Sequence, residues 1–214
     1  MIRALLFDLD NTLYSEAVGI ETGVSQRMNQ FVAEFLNLPL QEAIKYRREH
    51  AKPYGTTLEW LMREEDFQEP ERYFDFIHPK GEEDCLEPDL VLRLMLNQIP
   101  LPKAVLTNAP IDHARRILNK LGILDCFAGV YDIWFNNLVG KPAREAYLRV
   151  LADADFLLQE TLFVDDLPKY VKGYLDIGGL ALLKDEMGRF SELPYRRIET
   201  IYELSAVLEE MGVR

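Results

Sequence analysis

The sequence predicts an α/β protein: a doubly wound parallel sheet, with a helical module inserted after the first strand. Three observations lead there. From Pro88 onward, short apolar runs alternate with helical patterns, and parallel strands need such crossover helices. Between residues 15 and 85 only helical periodicity is found. The apolar runs also end in polar or charged residues, beginning with the Asp-Leu-Asp that closes the first of them.

Ala4 to Phe7 is a short apolar run suited to a strand buried on both faces, and Asp8 and Asp10 follow it directly. Val24, Met28, Phe31, Val32, Phe35 and Leu36 then recur at spacings of three and four, which is an amphipathic helix ending near Pro39. A charge-rich helix runs from about Pro39 to Ala51. Lys52-Pro53-Tyr54-Gly55 is a turn, Thr56-Thr57-Leu58-Glu59 is a capping box that opens a third helix, and Glu71 to Ile77 forms a fourth. Beyond this module come a helix from Pro88 to Ile99, a strand from Lys103 to Thr107, and a helix from Ile111 to Leu121 stopped by Gly122. The series continues with a strand from Gly129 to Phe135, a helix from Pro142 to Ala152 and a strand from Thr161 to Val164. A helix from Pro168 to Ile177, a strand from Leu180 to Leu183 and a last helix from Ile201 to Met211 complete it. The expected division is an α/β core of residues 1–14 and 86–214 and a helical domain of residues 15–85.

With 214 residues, 48% of them hydrophobic, the chain can bury one good core and a smaller inserted module. Its net charge of −12 repels polyanions, which argues against a nucleic-acid polymer as partner and leaves a small anionic molecule as the expected one. Cys85 and Cys126 are the only cysteines, no secretory leader precedes the first strand, and no apolar run is long enough for a bilayer. A cytoplasmic protein without membrane contact is the expectation, as monomer or homodimer. His50, His78 and His113 have no zinc-site spacing and are expected as surface or partly buried side chains rather than as ligands.

In a parallel sheet the ligand lies beyond the carboxyl ends of the strands. Those positions hold Asp8 and Asp10, then Thr107 and Asn108, then Lys141 ahead of the following helix, then Asp165 and Asp166. Singly, each has an ordinary reading: Thr107 as a turn residue, Asp165 and Asp166 as caps for the helix starting at Pro168. Together, several carboxylates with a lysine, a hydroxyl and an amide describe an oxygen-ligand site for Mg²⁺ beside an anion cradle. A carboxylate there can attack phosphorus, and a second one two residues on can protonate the leaving oxygen and later activate water.

These motifs, Asp8-Leu-Asp10-Asn-Thr, Thr107-Asn108, Lys141-Pro142 and Asp165-Asp166, resemble the haloacid dehalogenase superfamily, in its phosphatase branch, over nearly the whole chain. The resemblance implies a Rossmann-like core with a helical cap, and an Mg²⁺-dependent phosphomonoesterase acting on a small phosphorylated metabolite. It implies Asp8 as nucleophile, Asp10 as general acid and base, and Thr107 and Lys141 as phosphoryl-binding groups. Asn108 and Leu9 fall on the substrate side. Asp166 is the main further metal ligand, with Asp8, Asp165 and the Asp10 carbonyl. Readings left open are a sugar-phosphate phosphatase, a phosphomutase, and a weakly active or non-catalytic binding protein of the same fold.

Tyr54-Gly55-Thr56-Thr57-Leu58 is similar to the pyrimidine 5′-nucleotidase group, which implies a nucleoside 5′-monophosphate and places Tyr54 near the leaving group, as a stacking aromatic or as a hydrophobic staple. Trp60 stands where that group has glycine, and either narrows the pocket or fills the cap core. Leu167 and Tyr170 stand where the superfamily has a small hydroxyl residue and a polar one that steadies the lysine or a metal-bound water. Losses of such supporting contacts cost about 10-fold to 100-fold, so a slower enzyme is expected.

Overall fold

In the computed structural model, which describes residues 1–213, a parallel sheet runs through the chain. Its strands are β1 (Ala4–Phe7), β2 (Lys103–Leu106), β3 (Gly129–Tyr131), β4 (Thr161–Asp165), β5 (Leu180–Lys184) and β6 (Arg197–Ile198). Their order is β3-β2-β1-β4-β5-β6, the doubly wound arrangement the alternation predicts. The chain builds outward from β1 to β3, then crosses back to β4 on the other side. The crevice at that reversal is where such sheets bind ligands. Phe7 pairs with both Val105 and Val164, so the residues that follow β1, β2 and β4 emerge along one rim.

Side chains alternate across the sheet and need cover on both sides. Leu5, Phe7, Val105 and Val164 face one core, which takes in Leu92 and Leu96 of α5 (Leu90–Gln98) and Ile117 and Leu118 of α6 (Ile111–Leu121). Leu6, Ala104, Leu106 and Phe163 face the other, with Tyr147 and Val150 of α7 (Arg144–Asp153) and Tyr174 of α8 (Pro168–Asp176). The last helix, α9 (Leu204–Glu210), buries Leu204 and Leu208 in the first core. Gly122, at φ 72°, ends α6 in the left-handed conformation that residues with a Cβ adopt at a cost.

Beyond shifts of a few residues at element ends, the sheet differs from the sequence reading in two places. The third strand stops at Tyr131 rather than Phe135, because Asp132 takes over the backbone donors: its Oδ1 accepts from the Phe135 amide at 2.9 Å and its Oδ2 from the Ile111 amide at 2.9 Å. The edge strand β6 is new, and its two residues are too few to show a period.

Between β1 and β2 lie α1 (Ile20–Phe35), α2 (Leu40–His50), α3 (Thr57–Glu64) and α4 (Pro70–Ile77). The Phe31 ring meets Phe67, Tyr73 and Phe76 edge-on with centroids 5.3, 5.0 and 5.5 Å away, which fixes α1 against α4. Trp60 is fully buried, tilted against Tyr46 and His50, so its indole fills the interior of this insert. Trp60→Ala is expected to cost about 3–5 kcal/mol. For a chain of this size that lowers the melting temperature by about 10 °C in a thermal scan.

Candidate active site

The Asp8 amide donates to the Val164 carbonyl at 2.9 Å, carrying the ladder one residue past β1 and setting the Asp8 side chain at the rim. Both carboxylate oxygens are held. Oδ1 accepts from Lys141 Nζ at 2.5 Å and Oδ2 from Thr12 Oγ1 at 3.1 Å. Thr12 is fully buried, and its hydroxyl reaches back four residues to Asp8, a part the sequence reading left unassigned. Lys141 is fully buried as well. Its ammonium also donates to Asp165 Oδ2 at 2.7 Å and lies 4.9 Å from the Tyr170 ring centroid. Asp165 and the Tyr170 ring thus steady the lysine, the part expected of the polar residue that Tyr170 replaces.

Asn108 holds the same lysine by its backbone. Its Oδ1 accepts from the Lys141 amide at 2.7 Å, while its Nδ2 donates to the Lys141 carbonyl at 3.0 Å and to Tyr170 Oη at 3.1 Å. A Cβ at Gly140 would lie 2.8 Å from Asn108 Oδ1, so this approach needs glycine there. Asn108 therefore lines the cavity with its side-chain amide already committed, so a contact with substrate falls to its backbone. Leu9 is corrected in part: its side chain is fully buried in the core, and only its backbone is left to meet a ligand. Thr107 is buried at the cavity wall. Its Oγ1 accepts from the Ala109 amide at 3.0 Å, which leaves the hydroxyl proton for the cavity.

Tyr54 does not reach this cavity. Its hydroxyl bonds Glu64 of α3, and it borders a neighbouring recess, so Gly55, Thr56 and Thr57 are the parts of that turn that face the site. Trp60 is likewise absent from the cavity wall. The cavity, about 470 Å³, lies between the sheet rim and the helical insert, which contributes Glu21, Ser25, Arg47 and Thr57. Arg47 donates to Thr57 Oγ1 at 3.2 Å and Asn29 Oδ1 at 2.9 Å and is half-buried without an ion-pair partner among the described residues. Burial, with Asp10 and Asp8 nearby, pushes the Glu21 carboxyl up to about 8.

Ligand oxygens of Asp8, Asp165 and Asp166 all lie within 4.8 Å of one another. One lysine cannot neutralise three carboxylates. Burial, with Asp165 and Asp10 beside it, lifts Asp8 to about 7 even against Lys141; burial, with Asp165 and Asp8, lifts Asp166 to about 9. Both Asp165 oxygens are engaged, by Lys141 and by the Leu167 amide at 2.8 Å, whereas Asp166 accepts no hydrogen bond from the described residues and faces the cavity. A divalent cation with a preference for oxygen fits this uncompensated cluster, held by Asp8 and Asp166 with Asp165 behind them.

The Asp10 side chain turns elsewhere, so a part for Asp10 at the cation falls to its backbone carbonyl. Its Oδ1 accepts from Tyr14 Oη at 2.6 Å and from His113 Nε2 at 2.8 Å. On the ring's other side, His113 Nδ1 meets Glu82 Oε1 at 2.7 Å. Both neighbours are carboxylates, so both ring nitrogens donate and the ring is an imidazolium. Burial alone would lower the His113 pKa, but Asp10 and Glu82 raise it to about 10. Burial would likewise raise Asp10, yet His113 and Tyr14 hold it down at about 2.

The two closely spaced carboxylates that open the chain are thus each matched to a different cation. His78 and His113, expected at the surface or partly buried, are both buried, His113 completely. One signal was available. His113 falls on the α6 face that carries Ala114, Ile117, Leu118 and Leu121, where a histidine needs polar partners. Among the described residues no helix is long and apolar enough to cross a membrane.

The family model described as haloacid dehalogenase-like hydrolase matches residues 2–171. Phosphate metabolism protein 8 of Saccharomyces cerevisiae is 27% identical over 195 residues, covering 82% of this chain; the chain spans 59% of that relative's length. Among solved structures, L-2-haloacid dehalogenase from Xanthobacter autotrophicus superposes with a TM-score of 0.65 at 18% identity, covering 99% of this chain and all of that one. A phosphatase of the same superfamily from Thermococcus onnurineus gives 0.62 at 22% identity, with 97% and 98% covered. The β-phosphoglucomutase from Clostridium difficile gives 0.67 at 17% identity, with both chains fully covered. At these identities the structural likeness speaks for the fold alone.

Proposed function

Since the chain belongs to the haloacid dehalogenase-like hydrolases, we propose that it is an Mg²⁺-dependent phosphomonoesterase that works through an aspartyl-phosphate on Asp8. The observation that carries this reading is the Asp8 carboxylate, held by Lys141 and Thr12 at the rim beside the Asp165–Asp166 cluster. When bound at Asp8, Asp166 and the Asp10 carbonyl, Mg²⁺ supplies the positive charge that lets Asp8 ionise and face a phosphate dianion.

Asp8 forms a bond to phosphorus as the ester P–O bond breaks, and Asp10 gives the departing oxygen its proton. Asp10 then takes a proton from the water that attacks the phosphoryl group, and Asp8 is released with inorganic phosphate. Lys141 and the Thr107 hydroxyl hold the phosphoryl oxygens throughout. In the free protein Asp10 is ionised. The dianionic ester places like charge beside it, which favours its protonated form as substrate enters.

The substrate class is a small phosphorylated metabolite, with a nucleoside 5′-monophosphate as the specific case. Support comes from a cavity of ligand size, about 470 Å³, whose far wall offers the Arg47 guanidinium and the hydroxyls of Ser25 and Thr57 to a sugar or base. The test is phosphate release from a panel of nucleoside monophosphates and sugar phosphates. Release that is lost in chelator and restored by Mg²⁺ is expected for at least one class. No turnover on any ester would instead favour a non-catalytic protein of this fold.

A second expectation concerns stability. Asp8 and Asp166, lifted to about 7 and 9, hold protons in the folded state that an unfolded carboxyl, at about 4, gives up. Without a divalent cation, stability is lost as pH rises from about 4 through those values. The melting temperature should fall from pH 5 to pH 9 in chelator, and the gain on adding Mg²⁺ should grow over the same range. A gain independent of pH would place the cation elsewhere.

A further inference from the structure

The proposed chemistry asks Asp10 to meet the leaving oxygen in one step and a water in the next. A carboxylate that does both must be held in one orientation. Its Oδ1 takes the Tyr14 and His113 donors at 2.6 and 2.8 Å, and its Oδ2 accepts no hydrogen bond from the described residues. Two donors on one oxygen leave the other free for the reacting group.

His113 is itself fixed at its far nitrogen by Glu82, whose side chain is only 4% exposed. Glu82 sits in the 3₁₀ turn Glu82–Cys85, on the segment that leads from the helical insert back to α5 and the core. Its Oε2 accepts from Arg27 of α1 at 2.5 Å, while its Oε1 also meets His78 Nδ1 at 3.1 Å and Arg116 of α6 at 3.3 Å. A continuous chain of hydrogen bonds therefore runs from α1 of the insert, through Glu82 and His113, to Asp10. His78, Glu82 and His113 are close enough to suggest a metal centre, but Glu82 is already surrounded by nitrogen donors and His113 Nε2 is committed to Asp10.

We propose that His113 is the positioning residue of the acid and base carboxylate, and that Glu82 holds it, which ties the orientation of Asp10 to the seating of the helical insert on the core. The inference rests on the phosphomonoesterase reading above. It adds two residues, 31 and 103 positions from their partners in sequence, to the machinery of proton transfer.

A general acid matters most when the leaving group is a poor one. The value of kcat/KM reports only steps up to departure of that group, whereas kcat includes hydrolysis of the phosphoenzyme, for which Asp10 is the base. The experiment compares 4-nitrophenyl phosphate, whose leaving group departs without a proton, with glycerol phosphate, whose alkoxide does not. For His113→Gln, kcat/KM for glycerol phosphate is expected to fall about 100-fold, the lower end of what acid–base catalysis contributes. For 4-nitrophenyl phosphate it should change less than about 3-fold, because departure there needs no proton. With 4-nitrophenyl phosphate the phosphoenzyme should accumulate, because its formation stays fast while its hydrolysis, which needs Asp10 as base, is slowed.

Glu82→Gln keeps the side chain's size and serves if His113→Gln fails to fold; it should show the same divergence at smaller amplitude. Equal losses of kcat/KM on the two esters, or no loss on either, would overturn the proposal. A wild-type protein that hydrolyses neither these esters nor any nucleoside monophosphate or sugar phosphate would instead reject the phosphomonoesterase reading on which it rests.

Discussion

Asp8→Asn is expected to abolish phosphate release, with a loss in kcat on the order of 10⁶, the scale set by removing a covalent nucleophile. The amide keeps the carboxylate's shape, can accept from Lys141 and can meet the Thr12 hydroxyl, so the side chain's surroundings are retained. It also removes one charge from a cluster in which Asp8 is already lifted to about 7 by burial and crowding. The melting temperature in chelator should therefore stay within a few degrees of wild type, which separates lost chemistry from lost structure. Steady-state phosphate release beside a thermal scan checks both halves. Residual turnover at a tenth of the wild-type rate would mean that another group attacks phosphorus.

Lys141→Ala should act on folding as well as on function. The ammonium is fully buried between Asp8 and Asp165, and its pKa rises despite burial because those two carboxylates hold the charged form. Removing it leaves two buried carboxylates without a counter-charge, which costs about 3–5 kcal/mol, or about 10 °C in melting temperature. The direction with pH follows. Protonating the orphaned carboxyls relieves the penalty, so the gap between variant and wild type should narrow below about pH 5 and widen toward pH 8. Lys141→Arg is not expected to restore wild-type behaviour, because a planar guanidinium does not fit a fully enclosed slot shaped for an ammonium. Binding of inorganic phosphate, read by calorimetry, should weaken in the same variants. A Lys141→Ala protein as stable as wild type at pH 8 would contradict the charge balance described here.

Much of this site could be read in the chain because its parts sit where periodicity breaks. Asp8 and Thr107 follow an apolar strand and Asp165 ends one, and in a parallel sheet strand ends converge whatever lies between them in sequence. The helical insert was legible for a related reason: apolar residues at three and four spacing, a capping box at Thr56 and turns at proline and glycine are local signals.

What stayed hidden depends on contacts between distant residues. His113 looks like one more polar residue near a helix start until the fold brings Asp10 and Glu82 to its two nitrogens. Asn108 reads as a substrate ligand because it follows Thr107, yet its amide is spent on the backbone of Lys141, 33 residues on. The turn at Tyr54 was placed well, but which of its residues faces the cavity was decided by Glu64, which draws the phenol away. The third strand ends before the run up to Phe135 does, because a side chain, that of Asp132, takes the place of the ladder.

The account rests on Asp8 becoming phosphorylated, and that is open to direct observation. The protein, mixed with an ester it turns over and Mg²⁺, is quenched in acid within a single turnover and digested for mass spectrometry. A gain of one phosphoryl group on the peptide containing Asp8, absent from Asp8→Asn and lost on raising the pH, is the predicted result. Full phosphate release with no phosphorylated Asp8 peptide at any quench time, in a His113→Gln protein where the intermediate should accumulate, would contradict it.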